Sequence, residues 1–220
     1  MTAAIAKAIW VALAVGWYFI RIPHQRRSQK TPVKRSERGA AEWVLLAISF
    51  TGLGILPVLY VASGFPKAAS YPFHALQGWL GAALAAGALW LFHLTHRALG
   101  RNWSVSLDIR ATHTLVTNGV YARVRHPMYS AFWLWALAQA LLLPNWVAGL
   151  SGLVGFGTLY GFRVGREEKL MLDSFGDEYR GYMRRTARLL PRIHARAAPD
   201  EHHPALQSRP APGPASGSAK

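Results

Sequence analysis

What most constrains this chain is a series of long apolar runs, separated by segments that hold nearly all of its positive charge. Ala3 to Ile20 is the first, broken only by Lys7, and Trp43 to Ala62 and Phe73 to Leu94 follow. Two shorter runs, Met128 to Leu143 and Trp146 to Phe162, are divided by Pro144-Asn145. A helix needs about 20 apolar residues to cross a bilayer, and about 17 at the short limit. The first three runs meet that length, and the last two predict a tight helical hairpin that need not reach full depth. Trp17, Tyr18 and Phe19 end the first run where a signal peptidase would need small residues, so it reads as an uncleaved span. The pattern predicts an all-α integral membrane protein of about five transmembrane helices.

Charge supports that class and orients it. The formal charge is +15 over 220 residues, 51% of them hydrophobic. A nucleic-acid-binding protein shares the high pI but not the apolar runs, which argues against nucleic acid as partner. Apart from Lys7 and Lys67, every Lys and Arg lies after the first run, after the third, or after the hairpin. With the N-terminus outside, all three regions fall in the cytoplasm, as the positive-inside rule requires. The polar, basic face is then cytoplasmic, so any catalytic site on it faces the cytoplasm, and the membrane is the inner one if the chain is bacterial.

The finer organisation follows from turn formers and composition. Pro57 predicts a kink late in the second span, and the Ala- and Gly-rich third span suits close helix packing. Gly157 and Gly161 carry a helix-packing spacing inside the hairpin. Gly149, Gly152, Gly155 and Gly157 follow no strand, so they are packing glycines rather than a dinucleotide loop. Phe175-Gly176 predicts a break in the charged helix leaving the hairpin, with a second helix over Glu178 to Arg188. Three parts result: spans over 1–96, a core over 97–193, and a disordered Pro/Ala/Ser/Gly-rich tail over 194–220.

Cysteine is absent, which excludes disulfides, thiolate metal sites and a Cys nucleophile. His93 and His96 could share a helix face, but they lack the carboxylate or thiol company of usual ligand sets, so no metal is expected. What remains is a cluster of Arg, His, Tyr and Glu where membrane meets water. Val116 to Tyr129 is dense in such groups, and Arg125-His126-Pro127 opens a helix whose free N–H groups favour polar ligand atoms. Glu167 and Glu168 stand one to two turns past Phe162, and Arg163 shares a face with Glu167. That pair reads either as a surface ion pair or as part of a site.

The stretch T-N-G-V-Y-A-R-V-R-H-P-M-Y, a hairpin, then R-x-x-x-E-E-x-x-L-x-x-x-F-G-D-E-Y-x-x-Y and L-L-P resembles the isoprenylcysteine carboxyl methyltransferases. The resemblance runs from about Leu107 to Ile193. It implies an S-adenosylmethionine-dependent carboxyl O-methyltransferase without a Rossmann domain, acting on a lipophilic carboxylate that enters from the bilayer. It assigns the cofactor to His113, Thr114, Leu115, Val116, Tyr121, His126, Pro127, Met128, Tyr129 and Glu167, in a C-terminal helical site on the cytoplasmic side. It assigns the substrate carboxylate, and the catalytic role, to Arg163. Thr114 stands where a basic residue is common, so its contact would run through the backbone. Ser106 replaces a cofactor-touching Gln of the eukaryotic members. An ionised carboxylate needs no general base, so the site's task is alignment in little water. Three other readings stay open: N-methylation of a phospholipid or small-lipid amine, an NADPH-dependent sterol or enone reductase, and a non-catalytic scaffold.

Overall fold

The computed structural model describes residues 1–28, 33–36, 39–99, 108–110 and 115–191. The expected tail over 194–220 lies outside these, as do His113, Thr114 and Ser106. Among the described residues the helices are α1 (Ala3–Ser28), α2 (Ala40–Phe50), α3 (Leu56–Ser63), α4 (Ala75–Leu99), α5 (Pro127–Leu142) and α6 (Trp146–Arg185). Among the described residues, four helical stretches are long and apolar enough to cross a membrane: Ala3–Gln25, Ala40–Ser63, Ala75–Leu99 and Trp146–Arg185. Helix α5, at 16 residues, is the shorter arm of the predicted hairpin. The chain is thus a helical, multi-pass membrane protein. The basic segments read as loops contribute one antiparallel ribbon, β1 (Val33–Ser36) paired with β2 (Asp108–Arg110).

Helix α1 buries Ala6, Trp10 and Leu13, which recur at helical spacing and face α4. Its other faces leave Val11, Val15 and Phe19 exposed, as lipid contact demands. Small residues on α4 let α5 approach: a Cβ on Gly81 would come within 2.9 Å of the Leu142 side chain. Aromatic packing then knits α1, α4 and α5, with Trp17 and Phe92 each edge-on to Trp135.

The glycines of α6 do their packing elsewhere than Gly161, beside which a Cβ would meet nothing within 4 Å. A Cβ on Gly155 would stand 2.8 Å from the Ile48 carbonyl oxygen and 3.3 Å from Gly52 Cα, so α2 and α6 meet backbone to backbone there. Gly157 instead lies beside Trp133.

Between α2 and α3 the chain forms one π-helical stretch, Thr51–Ile55. This is where the Pro57 kink was expected, and the reason is steric. A proline ring collides with the carbonyl four residues back, and a π turn makes room for it. The Gly52 carbonyl then accepts from Gln139 Nε2 at 3.0 Å and Ser151 Oγ at 2.7 Å. Those bonds satisfy backbone that the bilayer could not.

The hairpin turn is capped by Asn145, whose Oδ1 accepts from the backbone of Val147 (3.1 Å) and Ala148 (2.9 Å). Its amide also donates to the Pro66 carbonyl at 2.8 Å, tying the turn to the loop after α3. Helix α6 runs for 40 residues, about 60 Å at 1.5 Å per residue. It therefore outlasts a bilayer core of about 30 Å. Its apolar part ends at Phe162, and the charged remainder bends sharply at Gly176 (φ 53°, ψ −124°). The break predicted at Phe175-Gly176 is there, and helix resumes beyond it as far as Arg185.

A candidate ligand site at the polar end of the bundle

The segment before α5 and the chain after α6 are stitched together by backbone. Arg125 N donates to Ala187 O at 2.8 Å and His126 N to Arg188 O at 3.0 Å. Ser130 Oγ reaches Leu189 O at 2.6 Å, and Tyr182 Oη donates to Tyr121 O at 2.6 Å. The single turn Gly119–Ala122, with Gly119 in the left-handed region (φ 58°), delivers Tyr121 to this junction. Two stretches far apart in sequence thus form one wall.

Glu168 is the hub behind that wall. Its carboxylate accepts from Arg125 Nε (3.2 Å) and Nη2 (3.1 Å), from His126 Nε2 (3.1 Å), and from Arg188 Nε (3.1 Å) and Nη2 (2.5 Å). Burial alone would raise its pKa. The hydrogen bonds from His126 and Arg188, and the charges of His126 and Arg125, outweigh that and hold it down to about 2. The third guanidinium nitrogen of Arg125, Nη1, donates to the carbonyls of Met183 and Thr186. The contact between Glu168 and His126 Nε2 also fixes the orientation of the imidazole ring.

In front of the wall lies a cavity of about 1060 Å³. Leu115, Val116, Tyr121, His126, Met128, Tyr129, Arg163 and Glu167 all line it. Pro127 starts α5 beside them as the helix-opening proline. His113 and Thr114 lie outside the described residues. Arg21, Ser49, His96, Arg125, Tyr18, Tyr179 and Tyr182 add further polar groups, and the rest of the lining is apolar, from Trp10 and Trp17 on α1 to Leu53 and Leu59 around the π turn, with Phe132, Trp135 and Phe156 behind. The space is therefore one chamber of mixed lining.

Among its polar groups, Tyr129 Oη donates to Glu167 Oε2 at 2.5 Å, and the Tyr129 ring stacks on His126 (5.4 Å, 24°). Burial, with Glu167 and Tyr182 nearby, pushes the Tyr121 phenol well above its ordinary pKa, so it is a neutral hydroxyl at any working pH. Arg163 is buried, with Nη1 3.3 Å from Glu42 Oε1. The spacing with Glu167 did not anticipate this partner, which comes from α2. Among the described residues, no group of three His, Asp or Glu gathers as a metal site would require.

Two participants escaped the sequence reading, Glu42 and Arg188, and a third, Glu168, was read without its role. A signal existed for the first, since Glu42 is the one acidic residue between Glu37 and Asp108 and stands at the start of a span. Glu168 was visible only as the neighbour of Glu167; a step of about 100° around the helix gives the two different tasks.

Residues 79–173 match the model of the isoprenylcysteine carboxyl methyltransferase (ICMT) family. The protein-S-isoprenylcysteine O-methyltransferase of Schizosaccharomyces pombe is 38% identical over 81 residues, which are 37% of this chain and 34% of that one. The Homo sapiens protein of the same name is 38% identical over 82 residues, 37% of this chain and 29% of that one. A probable protein-S-isoprenylcysteine O-methyltransferase of Oryza sativa subsp. indica is 28% identical over 151 residues, 68% and 76% of the two chains. The chain spans about a third of the length of the yeast and human relatives it matches. A solved structure of the eukaryotic intramembrane Ras methyltransferase ICMT covers 71% of this chain and 54% of that one, at 22% identity and a TM-score of 0.45. That likeness is too slight to bear on the fold. The matched segment holds α5, the hairpin turn, Tyr121, the His126–Tyr129 run, Arg163 and both glutamates, so it is the site-bearing part of the chain that is similar to the isoprenylcysteine carboxyl methyltransferase family.

Proposed function

We propose that this protein is an S-adenosylmethionine-dependent carboxyl O-methyltransferase acting on a lipophilic acid of isoprenylcysteine type, with its polar end in the cytoplasm. The observation that carries the reading is the cavity's mixed lining: Tyr121, His126, Tyr129, Glu167 and Arg163 gather in it, and most of its other walls are hydrocarbon. These polar groups suit the donor's mixed chemistry. Glu167 offers a carboxylate for an ammonium or ribose hydroxyls, Tyr129 and His126 offer flat faces, and the start of α5 offers free N–H groups. Leu115, Val116, Pro127 and Met128 shape the space around them, with His113 and Thr114 assigned by the family pattern.

When bound, the donor supplies an electrophilic methyl group on a sulfonium. The chain's own work is to bind, align and exclude water. Arg163 receives the acceptor carboxylate through parallel hydrogen bonds, leaving one oxygen aimed at the methyl carbon. A carbon–oxygen bond forms as the carbon–sulfur bond breaks. The products are an ester and a neutral thioether, and no proton moves. Apolar walls keep water from the attacking oxygen, which strengthens the Arg163 contact. The acceptor's tail lies along Leu53, Leu59, Phe132 and Trp135 and arrives from the lipid.

The test is methyl transfer by detergent-purified protein to N-acetyl-farnesylcysteine, compared with phosphatidylethanolamine. Transfer to the acid supports the proposal, and Arg163→Ala should abolish turnover while sparing donor binding. Transfer to the amine alone would replace it with lipid N-methylation.

A further inference from the structure

Glu42 is the most deeply buried charged side chain among the described residues, at 1% exposure. It sits in the first turn of α2, well outside the segment 79–173 that carries the family match. Its oxygens lie 3.3 Å from Arg163 Nη1 and 3.6 Å from Arg166 Nη2, and it does not line the cavity that Arg163 lines. Glu42 is therefore behind Arg163, not in front of it.

Burying a carboxylate beside lipid is costly, and a pair of apolar residues of similar volume would serve stability at least as well. The arrangement makes sense if Arg163 must keep one orientation. A guanidinium is a planar fork with five donors, so anchoring one nitrogen fixes where the others point. Of the two cations beside Glu42, Arg166 is partly exposed and Arg163 is buried, and Arg163 is the one that lines the chamber.

We propose that Glu42 is a positioning residue for acceptor recognition: from α2, it holds the Arg163 fork toward the chamber so that the acceptor carboxylate meets a guanidinium already oriented. This rests on the carboxyl-methylation reading above. It also gives the N-terminal spans a part in the chemistry, which the matched segment by itself does not require.

The experiment uses the full chain in detergent, as wild type, Glu42→Gln and Glu42→Asp. Acceptor kinetics with N-acetyl-farnesylcysteine are read beside donor affinity by calorimetry. Glu42→Gln keeps shape but loses the anchor charge. It should lower kcat/KM for the acid about tenfold to a hundredfold, the range a misplaced contact produces, with donor affinity unchanged within about twofold. Glu42→Asp should recover a substantial part of that loss. Wild-type kinetics in Glu42→Gln would overturn the proposal. So would a lowered acceptor KM, which would make Glu42 a competitor of the acid. Loss of donor binding in both variants would reduce Glu42 to a stability role and overturn it too. A wild type that binds donor but methylates no lipid acid would bring down the functional reading, and this role with it; that outcome is recognised without any variant.

Discussion

Replacing Glu168 with Gln perturbs the hub without changing its size. The carboxylate is held at about 2 against an ordinary 4.5. At 1.36 kcal/mol per pK unit the surroundings favour the ionised form by about 3 kcal/mol. The residue is 5% exposed, so little of that is screened. Glu168→Gln also strands the Arg125 guanidinium, whose side chain is 9% exposed, without its counter-charge. Removing one partner of a buried pair costs about 3–5 kcal/mol, in accord with the first figure. A chain of this length shifts its Tm by about 2–4 °C per kcal/mol, so thermal unfolding in detergent should fall by about 6–12 °C. The pH dependence has a definite sign. The folded pKa is depressed, so the stabilisation is complete above about 4.5 and drains away as pH falls toward about 2. The gap in Tm between wild type and Glu168→Gln should therefore narrow below about pH 4. A Tm within about 2 °C of wild type at pH 7 would refute the argument that Glu168 holds the two walls together.

Three further substitutions probe what positions the site, all read by thermal unfolding. Gly155→Leu should be severe, because even a Cβ there stands 2.8 Å from the Ile48 carbonyl; a cost of about 1–3 kcal/mol or more follows from overpacking, and a silent substitution would mean α2 and α6 are not in backbone contact. Asn145→Ala removes the cap of α6 and should cost about 1 kcal/mol, with no loss expected only if the hairpin turn is held by Pro144 alone. Gly176→Ala meets no steric obstacle, yet φ of 53° should cost about 1–2 kcal/mol; an unchanged Tm would argue against a sharp bend at this position.

Much of this architecture was legible in the sequence because lipid enforces simple rules. Apolar length marked the spans, Pro144-Asn145 the hairpin turn, and Phe175-Gly176 the bend, each through a local cause. The polar wall was legible too: Val116–Tyr129 and Arg163–Glu167 flank one short hairpin, and a hairpin returns its ends to the same place. What could not be read was pairing across elements. Nothing local to Glu42 says that it meets Arg163, because that contact depends on how α2 packs against α6 through Gly52 and Gly155. Likewise the adjacent glutamates look alike in sequence. Only packing turns Glu168 into the clamp and Glu167 toward the chamber. The π turn was expected as a simple kink, since proline announces a fault in the helix but not how neighbours will repair it.

Calorimetric titration of S-adenosylmethionine into the purified protein tests the central claim most directly, run for wild type and for Glu167→Ala. Glu167 lines the chamber and is fixed by Tyr129 at 2.5 Å, so wild type should bind saturably and Glu167→Ala should bind at least about tenfold more weakly. No binding by wild type would contradict the account, and equal binding by both proteins would remove the donor from the site assigned to it.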